Sequence, residues 1–142
     1  MIQRIQTVYF LIIIFLAAVL FFTPIYEIKL IGESVRAFYI TDHISLLLSN
    51  IFIIGLSAIN IFLFKNRPLQ IKIGWFIFLL ILVLSILIRL TFHTEQQNLV
   101  SDAVFIFSYF TFLPFLKLIF IFLAIKSIKK DEDLVKSADR FR

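Results

Sequence analysis

The stretch Ile73-Gly74-Trp75-Phe76-Ile77-Phe78-Leu79-Leu80-Ile81-Leu82-Val83-Leu84-Ser85-Ile86-Leu87-Ile88-Arg89-Leu90 decides the fold. Its single charge, Arg89, stands at the border. A helix crosses the roughly 30 Å hydrocarbon core of a bilayer with about 17–25 apolar residues. Three other stretches have the same character: Val8 to Ile25, Ile44 to Phe64, and Ala103 to Ile125. None contains Asp or Glu, and Lys117 is the one charge inside them. Period-2 alternation is missing from all four, whereas strands of a membrane barrel run about 9–11 residues with a polar inward face. The spacing therefore predicts an all-α membrane protein built as a four-transmembrane-helix bundle in one domain.

Composition agrees. Of 142 residues, 61% are hydrophobic and 16% charged, against roughly 45–50% and 25% in a soluble domain. A soluble chain of this length could not bury so much apolar surface. The absence of Cys excludes a disulfide scaffold, a thiolate metal site and a Cys nucleophile. Arg4 ahead of an apolar run could open a signal peptide, but no small-x-small cleavage site follows near Phe22-Thr23-Pro24. A retained first helix is expected.

The net charge of +5 is distributed as a topology signal. Arg4, Lys65, Arg67, Lys72, Lys126, Lys129, Lys130, Lys136, Arg140 and Arg142 fall on one side of the four spans, and Lys29 and Arg36 on the other. By the positive-inside rule both termini are cytoplasmic. The even span count requires the ends to share a side as well.

Between the spans, Glu27 and Lys29 alternate with Ile28 and Leu30 before a break at Gly32, which predicts a small β-hairpin in the outer loop Tyr26 to His43. The loop Lys65-Asn66-Arg67-Pro68 is short enough to make the second and third spans antiparallel neighbours. The second outer loop, Thr91 to Asp102, is polar. After Ile125 the tail, residues 126–142, has Leu134, Ala138 and Phe141 at helical spacing and Glu132 four before Lys136, which predicts an amphipathic tail helix. Ile2-Gln3-Arg4-Ile5 and Leu69-Gln70-Ile71-Lys72-Ile73 echo each other before odd-numbered spans, as a duplicated two-helix hairpin would produce.

Polar side chains inside hydrocarbon are costly and face other helices or a cavity. In the second span Ser45, Ser49, Asn50, Ser57 and Asn60 project onto one sector, and packing through interhelical hydrogen bonds is the simpler role for them. Lys117 lies nine residues before Lys126 and three after Pro114, which can kink the span. Its ammonium either snorkels to the cytoplasmic headgroups or needs a neutral acceptor in the bundle, such as Asn60, Ser57 or Tyr109. Asn50, Ser57, Asn60 and Lys117 form the candidate intramembrane polar site. No catalytic residue, cofactor site or metal site is expected. His43, Asp42, His93, Glu95 and Asp102 lack metal-ligand spacing, and no P-loop, Rossmann fingerprint or G-x-S-x-G occurs. The basic residues border spans without a soluble module, so they point to lipid and not to nucleic acid.

Three segments, Met1-Ile2-Gln3-Arg4-Ile5-Gln6-Thr7, Phe64-Lys65-Asn66-Arg67-Pro68-Leu69-Gln70-Ile71-Lys72, and Ile128 through Arg142, resemble in order those of a bacterial domain-of-unknown-function family of small four-span inner-membrane proteins. The resemblance implies a multi-pass protein of the bacterial inner membrane and supplies no reaction. All three segments fall on the cytoplasmic face by the charge argument. Arg4, Lys65, Asn66, Arg67, Lys72, Lys130, Asp131, Glu132, Lys136, Asp139 and Arg140 are therefore the candidate docking surface, for anionic lipid, a membrane-protein partner or a second copy. Within it Asp131, Glu132, Asp133 and Asp139 could pair with Lys65, Arg67, Lys72 and Arg4. A non-enzymatic accessory or scaffold subunit is the expected function, with a small transporter or channel subunit using Lys117 and the Ser/Asn face of the second span as the alternative and an enzyme acting on lipid headgroups third.

Overall fold

A computed structural model of the chain describes residues 5–29, 35–98 and 104–140. Among them are four helices, α1 (Ile5–Phe22), α2 (Ile44–Phe62), α3 (Arg67–Asn98) and α4 (Leu113–Arg140), all long and apolar enough to cross a membrane. α1 packs on α2 and α4, and α3 packs on the same two helices, so the four close a ring in chain order. The chain reverses direction between successive helices, so ring neighbours are antiparallel, which leaves α2 and α4 parallel across a diagonal.

The core is a stack of branched aliphatics. Ile13, Leu20, Ile53, Ile77, Ile81, Leu84, Ile121 and Ile128 are buried, while Phe15, Phe52, Phe76, Ile86, Ile119 and Phe122 stand exposed around the outside. An apolar perimeter of this extent suits lipid and not water. The chain is thus an all-α membrane bundle.

The buried positions of α1 and α3 coincide when the chain is shifted by 64. Gln6 falls on Gln70, Ile13 on Ile77, Ala17 on Ile81 and Leu20 on Leu84, every one of them buried. Each half also places strand and then a 3-10 turn between its two helices, two strands in the first half and one in the second: a 3-10 turn at Ile40–Asp42 precedes α2, and another at Tyr109–Phe112 precedes α4. Ile2, Gln3 and Arg4 of the sequence echo lie outside the described residues, and by burial and position in the helix the counterpart of Gln70 is Gln6.

The hairpin expected in the first outer loop is present as β1 (Tyr26–Lys29) and β2 (Arg36–Phe38), antiparallel with Tyr26 opposite Phe38. A third strand, β3 (Val104–Phe107), joins the other edge of β1, with Tyr26 opposite Phe107 and Lys29 opposite Val104. That changes the start of the fourth span: residues read as its first turns are strand and 3-10 turn, and α4 begins at Leu113. Pro114 is therefore the second residue of the helix, where a missing N–H costs nothing, and not the centre of a kink. α3 extends beyond the apolar stretch 73–90 at both ends, and the tail continues α4 without a break through Arg140.

The sheet caps one end of the bundle. Tyr26 and Ile28 alternate inward from β1, and the Tyr26 ring stacks on Phe38 at 4.9 Å and meets Phe92 of α3 edge-on at 5.4 Å. The backbone carbonyl of Ile25 accepts from Ser108 N at 3.3 Å and from the Thr111 hydroxyl, which ties the exit of α1 to the entry of α4. Ile5, where α1 begins, and Arg140, where α4 ends, lie toward the opposite pole.

Candidate functional site

Six polar or charged residues are buried among the described residues: Gln6, Asn50, Ser57, Asn60, Gln70 and Lys117. They divide into two layers. The first lies about 6–9 Å below the sheet-side ends of the helices, at 1.5 Å per residue. Lys117 of α4 reaches across the diagonal of the ring and donates from Nζ to Asn50 Oδ1 at 3.3 Å. Asn50 Nδ2 in turn donates to the Ala17 carbonyl of α1 at 2.9 Å. One ammonium therefore links α4, α2 and α1. Lys117 is fully enclosed, so it does not snorkel, and its acceptor is Asn50 instead of Asn60, Ser57 or the exposed Tyr109. Pro114 accounts for the difference. Because it starts the helix, Lys117 sits one turn below the sheet and too far from the other membrane face to reach it.

The second layer lies within about a turn and a half of the opposite ends of the helices. Asn60 Nδ2 donates to the Gln70 carbonyl at 3.2 Å, and Gln70 Nε2 donates back to the Asn60 carbonyl at 3.0 Å. The Asn60 carbonyl is among the last four of α2, which have no partner within their own helix, so the reciprocal clasp satisfies it and locks the α2–α3 hairpin. Gly74, one turn further along α3, lets α4 close in: a Cβ there would stand 2.9 Å from Ile125 Cγ1. Ala17 with Asn50 places Gln6 level with Asn60 in the antiparallel α1–α2 pair. The side-chain oxygens of Gln6, Asn60, Gln70 and Ser57 face this interior without donors.

Of the five polar residues grouped on one sector of α2, Asn50, Ser57 and Asn60 are interior; Ser45 is exposed, and Ser49 lies between, donating to the Ser45 carbonyl at 2.7 Å. Among the described residues no group of three or more His, Asp or Glu stands together as metal ligands. Asp102 lies outside them. Asp42 instead accepts from Tyr39 N at 2.8 Å. Burial, with the Glu95 and Asp42 charges adding to it, pushes the Tyr26 phenol up to about 12.

At the pole of the chain ends, Lys65, Asn66, Lys72 and Lys130 are exposed, and Arg67, Asp131 and Glu132 half-buried. Asn66 Oδ1 accepts from Leu69 N at 3.4 Å, at the start of α3. Glu132 pairs with Lys136 one turn on, at 2.7 Å. Among the described residues no ion pair joins Asp131, Glu132 or Asp133 to Lys65, Arg67 or Lys72, and Glu132 pairs inside the tail instead. The tail is an unbroken continuation of α4 and not a separate helix folded back over the loop. Arg4 lies outside the described residues, and Asp139 and Arg140 belong to α4 by backbone. A contact not foreseen ties the tail to α3: Lys129 Nζ stands 5.8 Å from the centre of the Trp75 ring. Trp75 among so many apolar neighbours gave no sign of it.

Four membrane helices tied to one another by buried hydrogen bonds, with a charged pole at one end, define a small integral membrane bundle. The chain belongs to the family described as a domain of unknown function (DUF4293), whose model matches residues 2–141. No curated protein and no solved structure matches it.

Proposed function

We propose that this protein is a non-enzymatic accessory or scaffold subunit of a bacterial inner-membrane assembly, with both chain ends in the cytoplasm, acting by docking through the pole that carries them. The observation behind this reading is the contrast between the two polar regions. Inside the bundle, Lys117, Asn50, Asn60 and Gln70 are engaged in holding helices to one another. At the pole, Lys65, Lys72, Lys126 and Lys130 stand exposed and make no ion pair among the described residues. Basic residues at span ends attract anionic headgroups and acidic partner surfaces. The test is recovery of partners with the tagged protein from native membrane, with and without residues 131–142. Docking requires that the truncation lose them.

A second reading, a small transporter or channel subunit, draws support from Lys117: an intramembrane cation is a functional candidate by default. It predicts that Lys117→Met abolishes function while expression and assembly survive. Docking predicts that this variant is nearly silent.

A further inference from the structure

The Lys129–Trp75 contact marks a place where two helices present positive charge together. Gly74 against Ile125 sets the α3–α4 register, and counting outward from that pair puts Lys72 of α3 level with Lys126 and Ser127 of α4. Lys72 and Trp75, three apart, share a face of α3. Lys126, Lys129 and Lys130 share a face of α4, where with Asp133, Leu134 and Ser137 they line an open groove of about 570 Å³ whose walls come from α4 alone; Lys72 joins them through the α3–α4 register and not as part of the groove. The Lys129 side chain leans toward the start of its helix, as helical side chains do, and so covers the half-exposed indole. Asp133 is the single carboxylate lining this groove against three ammoniums; Glu132, the nearest other acid on α4 with a partner, is occupied by Lys136. Directly below, toward mid-membrane, Leu79 and Ile86 of α3 and Ile119 and Phe122 of α4 are exposed and apolar.

We propose that this α3–α4 face is a binding site for an anionic phospholipid, with its phosphates among Lys72, Lys126, Lys129 and Lys130 and its acyl chains along the apolar rows beneath. Four ammoniums spread over two helices fit a headgroup with two phosphates, as in cardiolipin, better than one with a single phosphate. Trp75 lies at the headgroup boundary, the level its amphipathic ring favours. The site deepens the docking reading by giving the charged pole a specific lipid ligand.

The test uses the full chain purified in phosphatidylcholine nanodiscs, with binding of cardiolipin, phosphatidylglycerol and inorganic phosphate measured by native mass spectrometry. The expected order is cardiolipin above phosphatidylglycerol, with inorganic phosphate neither binding nor displacing. Each ammonium near a membrane surface is worth about fivefold in affinity, so Lys72→Gln/Lys126→Gln/Lys130→Gln lowers cardiolipin affinity about a hundredfold. The variant keeps the Lys129–Trp75 contact, and its fold is checked by helical circular dichroism. A control with equal charge loss away from this face, Lys29→Gln/Lys65→Gln/Arg67→Gln, changes affinity less than about fivefold. Equal losses in both triples, no preference over phosphatidylcholine, or competition by inorganic phosphate would each overturn the site. Partner recovery with the Lys72/Lys126/Lys130 triple is read separately, so a failed lipid site is distinguishable from a failed docking reading.

Discussion

Lys117 and Asn50 meet across the axis of the bundle, 3.3 Å apart, from the two helices that are not neighbours in its ring. The residues occupy equivalent places in the two halves of the chain, each one to two turns below the sheet-side end of its helix and each facing inward. Breaking a buried charged interaction from one side leaves the other side uncompensated. Asn50→Leu leaves both the Lys117 amine and the Ala17 carbonyl without their partner and is expected to cost about 2 kcal/mol, whereas Lys117→Met strands only the Asn50 amide oxygen and costs about 1 kcal/mol. The double variant is expected to be no worse than Asn50→Leu alone. Thermal unfolding of the four proteins in detergent closes this cycle, and strictly additive losses would show that the contact contributes nothing.

Two helix glycines should respond oppositely to the same change. Nothing lies within 4 Å of a Cβ placed at Gly55, whereas one at Gly74 meets Ile125 Cγ1 at 2.9 Å. Gly55→Ala gains roughly 0.5–1 kcal/mol from the reduced freedom of the unfolded chain. Gly74→Ala makes the same gain but overpacks the α3–α4 contact, at a cost of about 1–3 kcal/mol. The melting temperature is expected to rise in the first variant and fall in the second.

The Tyr26 phenol, pushed up from the ordinary value of 10.0 to about 12 by burial first and by Glu95 and Asp42 after it, carries a definite sign. A group that holds its proton more tightly when folded stabilises the fold fully below its unfolded value and loses that contribution as pH rises through its folded value. Tyr26 therefore contributes up to pH 10 and stops contributing between about 10 and 12. An ultraviolet alkaline titration should show one tyrosine ionising near pH 12, absent in Tyr26→Phe, and that variant should lose less stability across the same interval.

Orientation can be read chemically because the chain contains no cysteine. Single cysteines at positions 36 and 129, at opposite poles, are expected to react with a membrane-impermeant maleimide differently in intact cells: position 36 labels from outside, and position 129 only after permeabilisation. The reverse pattern would invert the bundle.

Much of this architecture was legible as apolar length. Sixteen consecutive uncharged residues from Ile73 can only be a span or a deeply buried helix, and two more runs at least as long, with a fourth broken only by Lys117, leave no soluble alternative. The alternation at Tyr26–Lys29 was readable as strand because Glu27 and Lys29 marked its outer face. Val104-Phe105-Ile106-Phe107 carries no such mark, since an unbroken apolar run looks the same in a helix as in a strand beside a membrane. Pro114 held the missing information, as a residue favoured in the first turn of a helix. Lys117 was visible as an anomaly, but its partner depended on where α4 begins, and Asn50 became the acceptor only once that point moved to Leu113. At the charged pole the Glu132–Lys136 spacing was legible and forms an ion pair, whereas the pairing of Glu132 with the α2–α3 loop does not form, because helix continuation keeps it beside Lys136 and away from Lys65 and Lys72.

Docking through the charged pole is tested most directly by quantitative recovery of co-purifying proteins from native membrane with three tagged chains: the full sequence, a chain lacking residues 131–142, and Lys117→Met. A defined partner recovered with the full chain and with Lys117→Met, and lost from the truncation while its expression holds, is the predicted result. Equal recovery with the truncated chain, or loss with Lys117→Met alone, would contradict it.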